Sequence, residues 1–219
     1  MHIGVIAESQ DNIYVLRAFC QRILDEENIY IIKQNQRFVS TQILPKNIQS
    51  IGNSFLKIKK HKPKFLIFLT DMDKNKKIKV ELEQEVQKLS IHAIIVVPVT
   101  KIENWLVCDI NAINTVLKSN ISLPGHKLDA KSWLQDQIGK SSLSYTVACT
   151  RIAKQASFKK IGKDFQEFVV DLKRIVLELE SKQNQVVKNK NKRKSLTNKV
   201  INQYLKALNK PIVSDKRRK

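Results

Sequence analysis

The chain lacks any hydrophobic run approaching the roughly 18 uninterrupted apolar residues of a membrane span. Its first residues also lack the basic and apolar regions of a secretory signal, so no membrane association is expected and the expected compartment is the cytoplasm. Cysteine is scarce. Cys20, Cys108 and Cys149 are widely spaced, form no CxxC pair and sit among helix-like or apolar neighbours. They read as reduced core thiols, with a nucleophilic cysteine as the alternative. The four histidines, His2, His61, His92 and His126, show no HxxxH ligand spacing, and none is assigned a catalytic part. A GxxxxGK[ST] phosphate loop is missing too, which argues against ATP hydrolysis by this chain itself.

Acidic residues are the other deficit. Only 20 Asp and Glu stand against 40 Lys and Arg, a net charge of +20 that points to a polyanionic partner, nucleic acid in the first place. The excess is uneven. Residues Lys182 to Lys219 carry 13 basic side chains and one acid, Asp215, and include the run Lys192-Arg193-Lys194. This tail reads either as a nucleic-acid-binding arm or as a solvated lysine-rich segment.

What the chain does have is enough apolar residues, 42% of 219, for a real core. They alternate between two patterns. Short β-branched or aromatic runs at Ile3 to Ala7, Phe65 to Thr70 and Ala93 to Val99 predict strands buried on both faces, and Asn28 to Val39 reads as a further strand with its flank. Helical spacing predicts helices over Asp11 to Glu26, with Asp11 as N-cap, over Asn47 to Lys60 and over Ile78 to Leu89. A βαβα rhythm of this kind predicts an α/β fold, a mostly parallel sheet flanked by helices.

Beyond the last strand the pattern turns helical. A helix is expected from Lys101 through Glu103 and Asp109 to about Lys118, another over Ala130 to Ile138, another over Tyr145 to Gln155, and a long one over Phe165 to Leu179. Pro124-Gly125 marks a turn, and a short helix over Leu196 to Leu208 is expected inside the tail. The expected domains are therefore an α/β domain over 1–119, a helical extension packed on it over 120–181, and a basic, partly disordered tail over 182–219.

Three acids stand at strand ends. Glu8 follows the run Ile3 to Ala7, and Asp71 and Asp73 follow Phe65 to Thr70. Parallel sheets place ligands at their carboxyl edge, and if the two strands are neighbours the three carboxylates converge, repelling one another unless a divalent cation sits between them. All-oxygen ligands favour Mg2+ or Mn2+ over zinc. The plainer alternative is a solvated turn at Asp71 to Lys77, with an aspartate capping the next helix, and an exposed Glu8. Glu103 is read as a further metal ligand or as a residue orienting a lysine, and Asp109 as a weaker candidate; either is otherwise a surface charge. Lys74 and Lys101 are read as phosphate contacts, and Lys192, Arg193 and Lys194 as nucleic-acid contacts. Trp105 and Trp133 read as packing residues, with base stacking as the minor alternative.

Taken together, Glu8 at the end of the first strand, Asp71-Met72-Asp73 at the end of a later one, and the α/β alternation between them resemble the TOPRIM domain of topoisomerases, primases and the overcoming-lysogenization-defect nucleases. The stretch Val97-Pro98-Val99-Thr100-Lys101-Ile102-Glu103-Asn104-Trp105-Leu106 is similar to small stand-alone bacterial TOPRIM-like proteins, often encoded beside an ABC-type ATPase. The resemblance covers residues 1 to about 180. It implies a TOPRIM or Rossmann-like fold, a metal-dependent nuclease, an ATPase partner and a part in phage defence or DNA processing. Two positions depart from the family pattern: Ser9 stands where Gly is usual, and Asn12 where many members carry another acid. One metal is thereby favoured over two. A non-catalytic nucleic-acid-binding or complex-assembly module with the same fold is the competing expectation, and a primase-like nucleotidyl transferase a third.

Overall fold

Four short strands carry the fold, and their composition explains their burial. A computed structural model describes residues 2–25, 30–32, 43–57, 62–71, 77–123, 129–182 and 185. The strands are β1 (His2–Ala7), β2 (Tyr30–Ile32), β3 (Phe65–Leu69) and β4 (Ala93–Val96). Every residue of β3 is buried, as is β1 from Ile3 onward, which is what a strand covered on both faces requires. All pair in parallel in the order β2-β1-β3-β4. The chain is thus an α/β protein with a parallel sheet flanked by helices.

The order carries a consequence. The connection from β1 moves outward to β2, and the next returns across β1 to β3, so the direction of winding reverses between β1 and β3. Right-handed crossovers then put α1 (Gln10–Ile23) on one face and α2 (Pro45–Leu56) with α3 (Ile78–Val86) on the other. Ile6, Leu66, Phe68 and Ile95 pack on one side against Ile48, Ile51 and Phe55 of α2 and Leu82 and Val86 of α3. Gly4 sits where a Cβ would meet the Phe55 ring at 3.0 Å and press still closer on Leu66, so glycine here lets helix and sheet approach.

The remaining helices are α4 (Glu103–Val107), α5 (Ile110–Leu117), α6 (Ala130–Gly139) and α7 (Tyr145–Gln155), with a 3-10 turn at Phe158–Lys160. Helix α1 packs against α7. Phe19 of α1 meets Trp105 of α4 at 5.9 Å and Phe165 at 5.0 Å, while Trp105 stacks on Phe168 at 5.9 Å. Such aromatic clustering is an ordinary core motif, and it gives Trp105 the packing part expected of it. Arg22 fastens α1 to α7: its Nη1 donates to Ala153 O and Ala156 O, both at 2.7 Å, and its guanidinium lies 4.1 Å from the Phe158 ring centroid. One carbonyl of the last turn of α7, Ala153 O, and that of its C-cap, Ala156 O, gain a donor this way.

Two compact units divide the chain, 1–175 and 176–219. The first ends in helical residues 163–175, here α8; in the second, residues 176–182 and 185 are helical. The expectations for 28–29 and 33–39, Asp73, Lys74, Pro124-Gly125, Leu196 to Leu208, and Lys192, Arg193 and Lys194 lie outside the described residues.

Local chemistry shifts several boundaries. Ser9, not Asp11, caps α1, its Oγ accepting from Asn12 N at 3.2 Å, while Asp11 occupies the first turn, where a negative charge suits the helix dipole. Helix α2 starts two residues early because Pro45 has its φ preset for a first helical position, and Asn47 Oδ1 accepts from Leu44 N at 2.9 Å. Strand β4 ends at Val96 rather than Val99, and α3 at Val86 rather than Leu89. The single helix expected from Lys101 to Lys118 is two. Asp109 breaks it, leaving helical φ/ψ to cap α5.

Candidate functional site

The carboxyl edge of the sheet is built by register. Ala7 pairs with Leu69, so Glu8 and Thr70 are the next residues of adjacent strands, and the Thr70 hydroxyl donates to Glu8 Oε1 at 2.7 Å. By strand alternation Glu8 continues the face of Ile6, and Thr70 the face of Phe68. Thr70 N also donates to Val96 O at 3.1 Å, so one buried residue ties the end of β3 to both neighbours. Glu8 and Asp71 are both half-buried, and Asp71 Oδ1 is shielded from solvent. These residues stand where the winding reverses, between β1 and β3, which is where open α/β sheets bind ligands.

The β4–α4 connection borders the same edge and is strained. Thr100 has φ 69°, uncommon for a β-branched residue, and its hydroxyl donates to Val99 O at 2.6 Å. Asp164 holds the segment in place, its Oδ2 accepting from Val99 N at 2.9 Å and from Trp105 Nε1 at 2.7 Å. Lys101, half-buried, helps to hold the Asp129 carboxyl below its ordinary value, after the larger effect of the Ser132 N–H.

Glu103 and Asp109 are not surface charges. Glu103 is buried and accepts from Tyr145 Oη at 3.0 Å. Burial, then the neighbouring Cys149 and Glu103, push the Tyr145 phenol above its ordinary value, so it remains a proton donor. Asp109 is buried as well, accepting from Lys160 Nζ at 2.7 Å and Ser157 N at 2.9 Å. Burial raises its carboxyl, but those donors outweigh it and hold it below the usual range. Asp11 of α1 accepts from the Thr146 hydroxyl of α7.

The thiols divide. Burial pushes Cys20 to about 12, and burial followed by the charges of Glu103 and Asp11 pushes Cys149 to about 12, so both stay protonated core residues. Cys108, expected in the core, is exposed beside a cavity of about 380 Å3 lined by Val99, Trp105, Lys163 and Asp164. Its thiol is raised too, by partial burial first and by Asp164 and Asp109 after it, which makes it a weak nucleophile.

Of the sequence-derived acids, Glu8 and Asp71 come to adjacent strand ends; Glu103 is bonded to α7; Asp73 lies outside the described residues. Among the described residues no group of three or more His, Cys, Asp or Glu side chains could hold a metal ion. Sequence reasoning overlooked Thr70 and Tyr145. The signal for Thr70 was available: one hydroxyl ending an otherwise apolar strand that is buried on both faces. Nothing local marked Tyr145, whose partner is 42 residues away.

The fold defines the chain as an α/β protein with a parallel sheet whose winding reverses between β1 and β3. Comparison with protein-family models, with curated proteins and with solved structures returned no match. Among the described residues no helix is long and apolar enough to cross a membrane.

Proposed function

We propose that the protein is a metal-dependent nuclease of TOPRIM-like fold, hydrolysing phosphodiester bonds of DNA or RNA at the β1/β3 edge. The observation that carries this reading is the placement of Glu8 and Asp71 just past the ends of the neighbouring strands β1 and β3, at the switch point of a chain with net charge +20. The donor chemistry fits Mg2+ or Mn2+: two carboxylates on neighbouring strand ends, all oxygen, with Asp73 two residues further on. Among the described residues, Thr70 takes Glu8 Oε1 and no hydrogen bond reaches Oε2, leaving one oxygen for a ligand. When bound, such an ion supplies Lewis-acid polarisation of a phosphate and a water of lowered pKa.

The chain's own residues supply the rest. Glu8, Asp71 and Asp73 hold the ion, the buried Thr70 keeps Glu8 in place, and Lys101 with Lys74 contacts the phosphate. The basic excess, Lys192, Arg193 and Lys194 included, grips the sugar-phosphate backbone without reading sequence, so binding falls steeply with salt. The ABC-type ATPase partner and the part in phage defence rest on the sequence resemblance alone.

A second reading has its own support. Asn12 is buried in α1, where a family-like second acidic ligand would stand, and this favours a nucleic-acid-binding module without catalysis. One experiment separates the two: plasmid and short RNA are incubated with the purified protein in Mn2+ or in EDTA, beside Asp71→Ala. The nuclease reading expects cleavage in Mn2+ that EDTA abolishes and Asp71→Ala reduces by more than about 100-fold, beyond the usual loss from an outer-shell partner. Cleavage persisting in either control refutes it. Intact substrate with a salt-sensitive gel shift establishes the binding module instead.

A further inference from the structure

We propose that Thr70 is the positioning residue of the metal site, acting through Glu8; the inference rests on the metal-site reading above. The Thr70 side chain has no solvent to turn to, being 3% exposed, and its hydroxyl is 2.7 Å from Glu8 Oε1. A hydroxyl donating to a carboxylate at that distance is a charge-assisted bond, short and directional. The backbone of Thr70 is fixed independently, by its N–H on Val96 O at 3.1 Å and by the β1–β3 register that ends at Ala7 and Leu69. The donor is therefore held by three strands, whereas Glu8 lies one residue past β1 and depends on that donor for its orientation.

Two consequences follow from the geometry. The bond commits one Glu8 oxygen to the protein, so Oε2 is the oxygen left to a ligand at the sheet edge. It also fixes the rotamer, so Glu8 does not have to be ordered when a ligand arrives, the usual service of an outer-shell hydrogen bond. Thr70 further sets the spacing of the site, since it is the residue between the end of β3 and Asp71. Serine keeps the hydroxyl in this position. Valine keeps the shape and removes the donor.

The test is a cycle of Thr70→Val, Glu8→Ala and the double variant, with Thr70→Ser as the conservative control, in the full chain. Mn2+ alone is the probe, its binding followed by electron paramagnetic resonance of the free ion, and folding by thermal melts. Expected are a loss of Mn2+ affinity of about 10- to 100-fold in Thr70→Val, near-normal binding in Thr70→Ser, and no further loss when Thr70→Val is added to Glu8→Ala. Normal Mn2+ binding in Thr70→Val, with Glu8→Ala binding lost, overturns the positioning role and leaves the metal site standing. Unchanged binding in Glu8→Ala overturns the metal site and this proposal with it. If Thr70→Val unfolds, Thr70→Ser decides: weakened Mn2+ binding in a folded Thr70→Ser protein overturns the proposal, and retained binding supports it.

Discussion

Glu8 at the sheet edge and Asp109 on the helical side are both acids at the end of an element, yet the protein treats them differently. Asp109 is buried and saturated, with Lys160, the Ser157 N–H and the Asn111 N–H all donating to it. Glu8 is half-buried and, among the described residues, receives the single Thr70 hydroxyl. Asp164 and Glu103 side with Asp109: one clamps Val99 N and Trp105 Nε1, the other takes Tyr145. An acid whose oxygens are consumed by the protein is part of the scaffold. One that is oriented by a single buried donor at a switch point keeps capacity for a ligand.

Asp109→Ala tests the contrast most severely. It removes the cap of α5 and strands two donors of the 3-10 turn, Ser157 N and Lys160 Nζ, so it should cost about 2–4 kcal/mol in a denaturant melt. It should leave any Mn2+ binding at the β1/β3 edge unchanged. The same residue sets a pH dependence. Its folded carboxyl lies below the unfolded value of about 3.9. Its contribution is therefore complete above that value and is lost as the pH falls through the folded one. Acid titration of stability should show this loss in the native chain and a smaller one in Asp109→Asn; equal profiles would break the assignment.

Asp164→Ala comes next, at about 1–3 kcal/mol, because the buried Trp105 indole N–H loses its acceptor. Trp105 fluorescence, read apart from Trp133 in a Trp133→Phe background, should change with it. An unchanged spectrum would mean that the clamp is not what holds the β4–α4 connection. The smallest effect is expected for Tyr145→Phe, about 1 kcal/mol, since it removes one hydrogen bond to Glu103 and keeps the ring. A much larger loss, or a loss of Mn2+ binding, would move Glu103 out of the scaffold and back among the ligands.

Much of the fold was legible because its signals are local. A run such as Phe65 to Leu69 is apolar at every position, and no other arrangement hides it as well as a strand covered on both faces. The helix over Tyr145 to Gln155 follows from its spacing in the same way, to the residue. The misplaced boundaries have local causes that pattern alone underweights: Ser9 outcompeting Asp11 as a cap, Pro45 starting α2, Asp109 interrupting a continuous helical pattern. For the site, the sequence pointed to Glu8 and Asp71 because acids closing apolar strands are conspicuous. It was silent on their relations, which depend on which strands are neighbours.

By itself, then, the sequence determined the alternation of strands and helices, the burial of the sheet, the basic excess and the acids at the strand ends, all consequences of residue type and spacing along the chain. Only the tertiary structure decided that β1 lies beside β3, that Thr70 reaches Glu8 across 62 residues, and that Glu103 and Asp109 are committed to Tyr145 and Lys160. The physical reason is that a carboxylate has the same chemistry everywhere in a sequence. Its role is set by the donors that folding brings within about 3 Å of its oxygens.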